Sequence, residues 1–372
     1  MAEARSEPLG NPTGSHRPAQ RARRLLEEAR DEVAAHLGRD PGEIIFTSGG
    51  TESANLAVFG TLEAAGFEGS AGSGGGRPSV LSSAVEHPAV RESCRAATRS
   101  SALDWSEVPV DREGVVDLEA LAGLLDQATA LVAVMLANNE TGVVQPVDQV
   151  AALVRDACPT ARVFTDAVQA APFIDLATST AAADLVALSA HKLGGPVGVG
   201  VLAVRPPAGI APRQFGGGQE RERRSGTQDV VGAVGLAAAL RLAAIDRDET
   251  GRRVQARRDR LAEGLLDRVD GAVRTVSSGA ATLPGHLHLC LEGIEREELL
   301  LALSARGVCA SGGSSCASGA LEPSYVLRAM GVPDEQARGA IRFTLGPDTT
   351  EADIERTLAV VPEVVASLRR ER

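Results

Sequence analysis

Short runs of Val, Leu and Ala, each bounded by turn residues, recur along most of this chain and alternate with segments of helical period. The runs stand at 43–47, 79–83, 131–137, 162–165, 184–189 and 197–204. Between them, apolar spacing predicts helices at 18–37, 87–99, 117–126 and 146–157, and one opened by Ser48-Gly49-Gly50-Thr51 and running to about 65. In the first helix Ala22, Leu25, Leu26, Ala29, Val33 and Leu37 share a face, and Pro18 suits a first turn. Apolar strands alternating with helices predict an α/β fold, with a mostly parallel central sheet covered on both faces. Aromatic residues make up only 2% of the chain, so its core must be packed from Ala, Val and Leu. A long Ala/Leu helix is expected at 230–248, and the polar stretch 248–251 reads as a domain junction. Beyond it come a helix at 252–269, strands near 273–277 and 286–291, a helix at 295–305 and a Gly/Ser/Cys loop at 309–319. The pattern predicts a large α/β domain over 10–247 and a small α+β domain over 248–372 that carries the loop.

Charge and cysteine usage narrow the function. A net charge of −11 argues against a nucleic-acid or anionic-membrane surface. The longest apolar run, 131–137, is too short to span a bilayer. The first ten residues, MAEARSEPLG, lack the apolar stretch of a signal peptide. Five cysteines without close pairing predict a reducing compartment, and no spacing resembles a zinc site. The expectation is a cytoplasmic protein without a metal.

Of the 38 basic residues only one is a lysine, Lys192. A composition bias that replaces lysine with arginine wherever the two are exchangeable leaves two readings of the survivor: chance, or a position where arginine fails. Guanidinium stays protonated, whereas a lysine amine can lose its proton and form a Schiff base. Lys192 is followed by Leu193, which excludes a Walker A loop. Ser189 sits three residues before it, but the other motifs of serine–lysine hydrolases are absent.

Lys192 follows the buried strand of Asp184-Leu-Val-Ala-Leu-Ser, placing His191 and Lys192 at its C-terminal end, where open α/β sheets bind ligands. Asp166 ends another apolar strand and faces the same edge. Alone it would read as a helix cap. Beside a strand-end lysine it completes the minimum set for pyridoxal 5'-phosphate (PLP), a Schiff-base amine and a partner for the pyridinium nitrogen. Gly49-Gly50-Thr51-Glu52 opens a helix after a strand, a cradle for a phosphate. Gly198-x-Gly200-x-x-Ala203 matches a loose dinucleotide pattern but opens no helix. His87 lies after a third strand and suits ring stacking or acid–base work. Cys316, in a Gly/Ser loop, reads as an accessible nucleophile. Cys94, Cys158, Cys290 and Cys309 are expected in helical or apolar segments, and inert.

His-Lys after an apolar strand, Asp-Ala-x-Gln, Gly-Thr-Glu-Ser, Glu-His-Pro-Ala-Val, Asn-Asn-Glu-Thr-Gly-Val and Arg-Ser-Gly-Thr together resemble the cysteine desulfurases, PLP enzymes of fold type I in the class V aminotransferase group. The stretch Ser-Ser-Cys-Ala-Ser-Gly-Ala-Leu-Glu-Pro-Ser-Tyr-Val-Leu-Arg-Ala-Met-Gly resembles the subgroup with a long mobile cysteine loop. The likeness runs over about residues 10 to 365. It implies that Lys192 would hold PLP, Asp166 would pair with the ring nitrogen, Gln169 with the ring hydroxyl, and His87 would stack on the ring. Gly50, Thr51, Ser189 and His191 would bind the phosphate, with Thr227 reaching across from a partner subunit of a homodimer. Asn139 would contact both cofactor and substrate, and Arg342 would engage the substrate carboxylate. Cys316 would attack the sulfur of L-cysteine, release L-alanine and pass a persulfide to an acceptor or scaffold protein for iron–sulfur cluster assembly or thio-modification.

One stretch departs from the resemblance. The family usually begins with a strand and a Leu-Asp-x-x-Ala-Thr-Thr-Pro segment that lines the active site, whereas here only Gly10-Asn11-Pro12 onward matches. That departure suggests a PLP-binding but inactive partner protein as another reading, and within PLP enzymes a selenocysteine lyase or related β-eliminase is a second alternative.

Overall fold

Seven of the apolar and half-apolar segments pair into one sheet in the order β1-β7-β6-β5-β4-β2-β3. The strands are β1 (Ile44–Thr47), β2 (Ser79–Ser83), β3 (Asp104–Val108), β4 (Thr129–Ala133), β5 (Arg162–Asp166), β6 (Leu185–Ser189) and β7 (Gly200–Val204). Six run parallel. Only β7 runs against its neighbours β1 and β6. The computed structural model describes residues 1–2, 6–66, 77–100, 103–313 and 323–370. It has the α/β class expected, a mostly parallel sheet flanked by helices.

The chain packs as two units. The first comprises Met1–Val108, Asp117–Leu136 and Gln145–Asp246. It contains the seven-stranded sheet and helices α1 (Arg17–Leu37), α2 (Gly50–Ala64), α3 (Pro88–Ser100), α4 (Leu118–Leu124), α5 (Val147–Ala157), α6 (Leu176–Ser179) and α7 (Val230–Ile245). Helix α1 shows how sequence sets its limits. Pro18 lies in its first turn, the His16 ring accepts from Ala19 N–H, and Gly38 stops it in the left-handed region at φ 60°. Its buried face is Ala19, Ala22, Leu26, Ala29, Val33 and Leu37, with Leu25 only half-buried. Strands β4, β6 and β7 are buried at every position, as a sheet covered on both sides requires. The core is small-residue packing of Ala, Val and Leu around Phe164.

The second unit comprises Pro109–Val116, Ala137–Val144 and Arg247–Arg372. It holds a three-stranded antiparallel sheet of β8 (Ala272–Arg274), β9 (His286–Leu291) and β10 (Ala340–Thr344), with β9 central. Its helices are α8 (Arg247–Arg268), α9 (Arg296–Ala305), α10 (Tyr325–Ala329), α11 (Asp334–Arg338) and α12 (Glu351–Arg370).

The local expectations differ from the structure at several places; the strand expected at 131–137, for one, runs Thr129–Ala133. Strand β3 was not expected, because Asp-Trp-Ser-Glu-Val buries only Val108 and pairs on one side alone, with β2. Residues 248–251, read as a domain junction, are helical, at the start of α8 and just past the division between the units at Asp246 and Arg247. The strand expected at 197–204 starts only at Gly200, because Gly198 turns the chain at φ 79°. The strand expected near 273–277 is displaced to Ala272–Arg274.

Candidate active site

The parallel strands of the first unit put their C-terminal ends along one edge, and four of them deliver candidate residues there. Strand β5 ends on Asp166, β6 leads into Ala190-His191-Lys192-Leu193, β2 leads to Glu86 and His87, and β1 leads to Gly49 and Gly50. A short 3₁₀ turn at Ala190–Leu193 presents Lys192, with Gly194 closing it at φ 75°. His191 and Lys192 are exposed, and Ser189 is buried with its hydroxyl 2.8 Å from His191 Nδ1.

Asp166 is only 7% exposed, and its Oδ1 accepts from Val168 N–H at 2.9 Å. Burial pushes its carboxyl up, while the Val168 N–H and the charges of His87 and Lys192 act the other way. The mutual influence of Asp166, His87 and Lys192 means that the three share one electrostatic neighbourhood. Burial lowers the affinity of His87 for a second proton. Its Nδ1 accepts from Ala89 N–H at 3.1 Å, which leaves the ring proton on Nε2. The result is a neutral, half-buried imidazole, suited to lie against an aromatic ring.

Beneath it lies a carboxyl that the sequence reading passed over. Glu86 is fully buried, its Oε1 accepting from Ser83 Oγ at 2.6 Å and Met135 N–H at 2.7 Å. Burial pushes it up to about 8, and Asp166 adds to the rise.

Helix α2 begins without a side-chain cap, so its first N–H groups face outward from the strand end. Gly49 sits at φ 149°, and a Cβ on Gly50 would lie 2.9 Å from Val168. Only glycine leaves this backbone open to a ligand. A phosphate fits such a helix start. Together with an exposed lysine and a buried carboxylate, the donor set fits PLP. Thr51 is exposed, and Gln169 is half-buried, near this edge.

Thr227 is exposed on the loop 216–229, which is tied down at several points. Glu220, 3% exposed, accepts from Arg30 Nη1 and Nη2, both at 2.9 Å, and from Phe46 N–H at 2.9 Å. Arg224 Nε donates to Glu52 Oε1 at 2.7 Å, fastening the loop to the first turn of α2. Glu220, Arg221 and Glu222 all have positive φ, a strained run for side-chain-bearing residues.

The expected substrate residues belong to the second unit. Arg342, on β10, donates from Nη1 to Asn139 O at 2.6 Å and to Gly313 O at 3.1 Å. Burial and the neighbouring Arg342 hold His288 down to about 3, so it is a neutral ring opposite Arg342 in the sheet. Cys316 lies outside the described residues. Of the other cysteines, Cys94, Cys158 and Cys290 are buried, and burial raises each thiol. Cys309 corrects the expectation. It is exposed, because the chain leaves α9 at Ala305 and runs open before the bridge at Ser311. Among the described residues no cluster of three or more His, Cys, Asp or Glu could hold a metal, and no helix is long and apolar enough to cross a membrane.

Comparison with known proteins bears on the whole chain. The model of the family "Aminotransferase class-V" matches residues 3–357. A cysteine desulfurase of Gluconacetobacter diazotrophicus is 40% identical over 365 residues, covering 98% of this chain and 88% of that protein. Cysteine desulfurase IscS of Methanosarcina thermophila is 38% identical, covering 98% and 87%. Among solved structures, a NifS-like protein superposes with a TM-score of 0.88 at 35% identity, covering 96% and 92%. A structure titled "SspA in complex with cysteine" gives 0.77 at 26% identity, covering 94% and 95%.

Proposed function

The chain belongs to the class-V aminotransferase family as a PLP-dependent cysteine desulfurase, and we propose that it moves the sulfur of L-cysteine onto Cys316 as a persulfide and releases L-alanine. The reading is supported above all by the meeting, at one sheet edge, of the only lysine, the buried Asp166, the neutral His87 and the uncapped start of α2.

Lys192 Nζ would hold the cofactor, and Asp166 would keep a proton on the ring nitrogen. His87 would lie against the ring, Gln169 would meet the ring hydroxyl, and Gly50, Thr51, Ser189 and His191 would take the phosphate. Bound there, PLP supplies an electron sink for the substrate's α-carbon. Lys192 Nζ, once released, takes the proton from that carbon and returns one to the product. Arg342 offers a planar fork for the substrate carboxylate, with Asn139 beside it in the second unit. The Cys316 thiolate attacks the substrate sulfur. The new S–S bond forms as the C–S bond breaks, and the electron pair of the broken bond stays with carbon, which is protonated to alanine. The persulfide then passes to an acceptor or scaffold protein for iron–sulfur assembly or thio-modification.

We assign the chemistry to a PLP-binding domain over 10–247 and the cysteine-bearing segment to 248–372. The reading also holds that two chains pair, with Thr227 contributed across the interface, and that the enzyme works in the cytoplasm, where free thiols persist. The exposed position of Thr227 on a braced loop supports the first point. The test is to incubate the purified protein with PLP, L-cysteine and a reductant, and to measure alanine and sulfide. In a reductant-free arm the cysteines are mapped for persulfide by mass spectrometry. Alanine with a persulfide on Cys316 is expected; absence of alanine at saturating PLP would sink the proposal.

A further inference from the structure

Two sides of the cysteine-bearing segment converge on one buried carboxyl that the reaction scheme leaves unused. Glu140 is 0% exposed and sits in a tight turn. The turn is rigid for local reasons. Asn138 Oδ1 accepts from the N–H groups of Glu140 and Thr141, both at 2.9 Å, and Gly142, at φ 80°, is pressed against His286 where a Cβ could not fit.

From that turn Glu140 reaches both stems of the stretch 314–322. On the trailing side Ser324 Oγ–H donates to Glu140 Oε2 at 2.7 Å, while the same hydroxyl caps α10 by accepting from Val326 N–H at 3.1 Å. On the leading side Gly313, at φ 98°, lies so close that a Cβ would come within 2.5 Å of Glu140 Oε2. Gly312 is likewise pressed on Arg296, whose side chain a Cβ would overlap. The leading stem is further held by the paired N–H···O bonds between Ser311 and Arg342, and by Arg342 Nη1 on Gly313 O. Arg342 and Arg296 are the cations that bear on Glu140. Its Oε1 is buried and has no hydrogen bond among the described residues.

We propose that Glu140 is a positioning residue for sulfur transfer: by holding Gly313 and Ser324 together it sets the take-off points of the segment that carries Cys316. The inference rests on the proposed role of Cys316 and adds a residue to it. Fixed take-off points raise the effective concentration of a tethered thiol at its target, and splayed ones lower it. The role is exerted through the two stems, so loss of Glu140 slows the thiol step and spares the cofactor step.

The experiment is a single-turnover reaction of the PLP-loaded full chain with L-cysteine, read in two ways. The visible absorbance change reports engagement of substrate at the cofactor. Quenching with an alkylating reagent and mass spectrometry report persulfide on the Cys316 peptide. Glu140→Ala is expected to slow persulfide formation roughly ten- to a hundred-fold, with the absorbance change and its cysteine dependence held within about two-fold. Glu140→Gln, which keeps an acceptor for Ser324, restores most of the rate. Ser324→Ala, which cuts only the trailing tie, gives a smaller loss of the same kind. Equal falls in both readouts, or an unchanged persulfide rate, overturn the inference. If Glu140→Ala does not fold, an unchanged rate in Ser324→Ala overturns it. A wild-type chain that forms no persulfide on Cys316 defeats the role of that cysteine, and this inference with it, before any variant is read.

Discussion

Removing the carboxylate of Glu220 should be one of the most damaging single changes in the first unit. Two Arg30 nitrogens, Phe46 N–H and Gln228 Nε2 all donate to it, so Glu220→Ala strands a guanidinium that is 2% exposed. Among the described residues Arg30 would keep Ile44 O, the half-exposed Glu27 and the face of the Phe46 ring. Breaking one partner of a buried pair costs about 3–5 kcal/mol, because the survivor is left charged and unpaired. The left-handed backbone at 220–222 would persist without the bonds that offset its strain. At about 2–4 °C per kcal/mol for a unit of this size, the midpoint should fall by roughly 10 °C. The assay is thermal unfolding for the midpoint and urea unfolding for the free energy, both followed by Trp105, the only tryptophan, which lies on β3 of the same unit. The loss should shrink in acid. Although burial alone would raise the Glu220 carboxyl, Arg30 holds it below its usual range. Its contribution is present above the unfolded carboxylate pKa of about 4.3 and is lost as pH falls through the lower folded value. Arg30→Met with Glu220→Leu should recover more than half of the stability, since a matched apolar pair removes the stranded charge. A loss below about 1 kcal/mol in Glu220→Ala, far under the range for a broken buried pair, would refute the reasoning.

Other expectations concern the site. Lys192→Arg should fold normally, yet borohydride should no longer fix the cofactor to the chain; retained covalent cofactor would remove Lys192 from its assigned role. Cys316→Ser should bind PLP and lose persulfide formation, whereas Cys309→Ser, a change at the exposed thiol among the described cysteines, should keep both; the reverse outcome would make Cys309 the carrier. Glu86, raised by burial to about 8, stabilises the fold fully below the unfolded value of about 4.3 and loses that contribution as pH rises through about 8. Glu86→Gln should therefore flatten the decline of thermal midpoint between these limits, and an unaltered slope would mean that the carboxyl is not protonated in the fold.

Much of the edge chemistry was legible in the chain because strand ends are legible. An apolar run closing on Asp166, or on Ser189 before His191 and Lys192, announces both burial and direction. The glutamates were not. Glu86, Glu140 and Glu220 look like surface residues in sequence, and only partners far along the chain bury them, as when Arg30 meets Glu220 across 190 positions. Strand β3 escaped for the opposite reason: as a sheet edge it needs little apolar surface, so no run marks it. Gly312 and Gly313 fall in a stretch that the sequence marks only as a Gly/Ser/Cys loop. In the structure they are places where Arg296 and Glu140 leave no room for a side chain.

The turn at Ala190–Leu193 presents the chain's single side-chain amine, exposed at the sheet edge where we propose that the cofactor binds. Reagents that normally scatter over a protein surface have one side-chain target here besides the chain's α-amino group. Acylating dyes become active-site titrants, and cofactor occupancy can be read from the protection of one residue. Amine coupling to a biosensor surface would consume the residue under study, and lysine-directed crosslinkers would miss almost every docking partner. The same arithmetic holds in a cell, where acetylation or ubiquitin conjugation of a side-chain amine on this chain would silence Lys192.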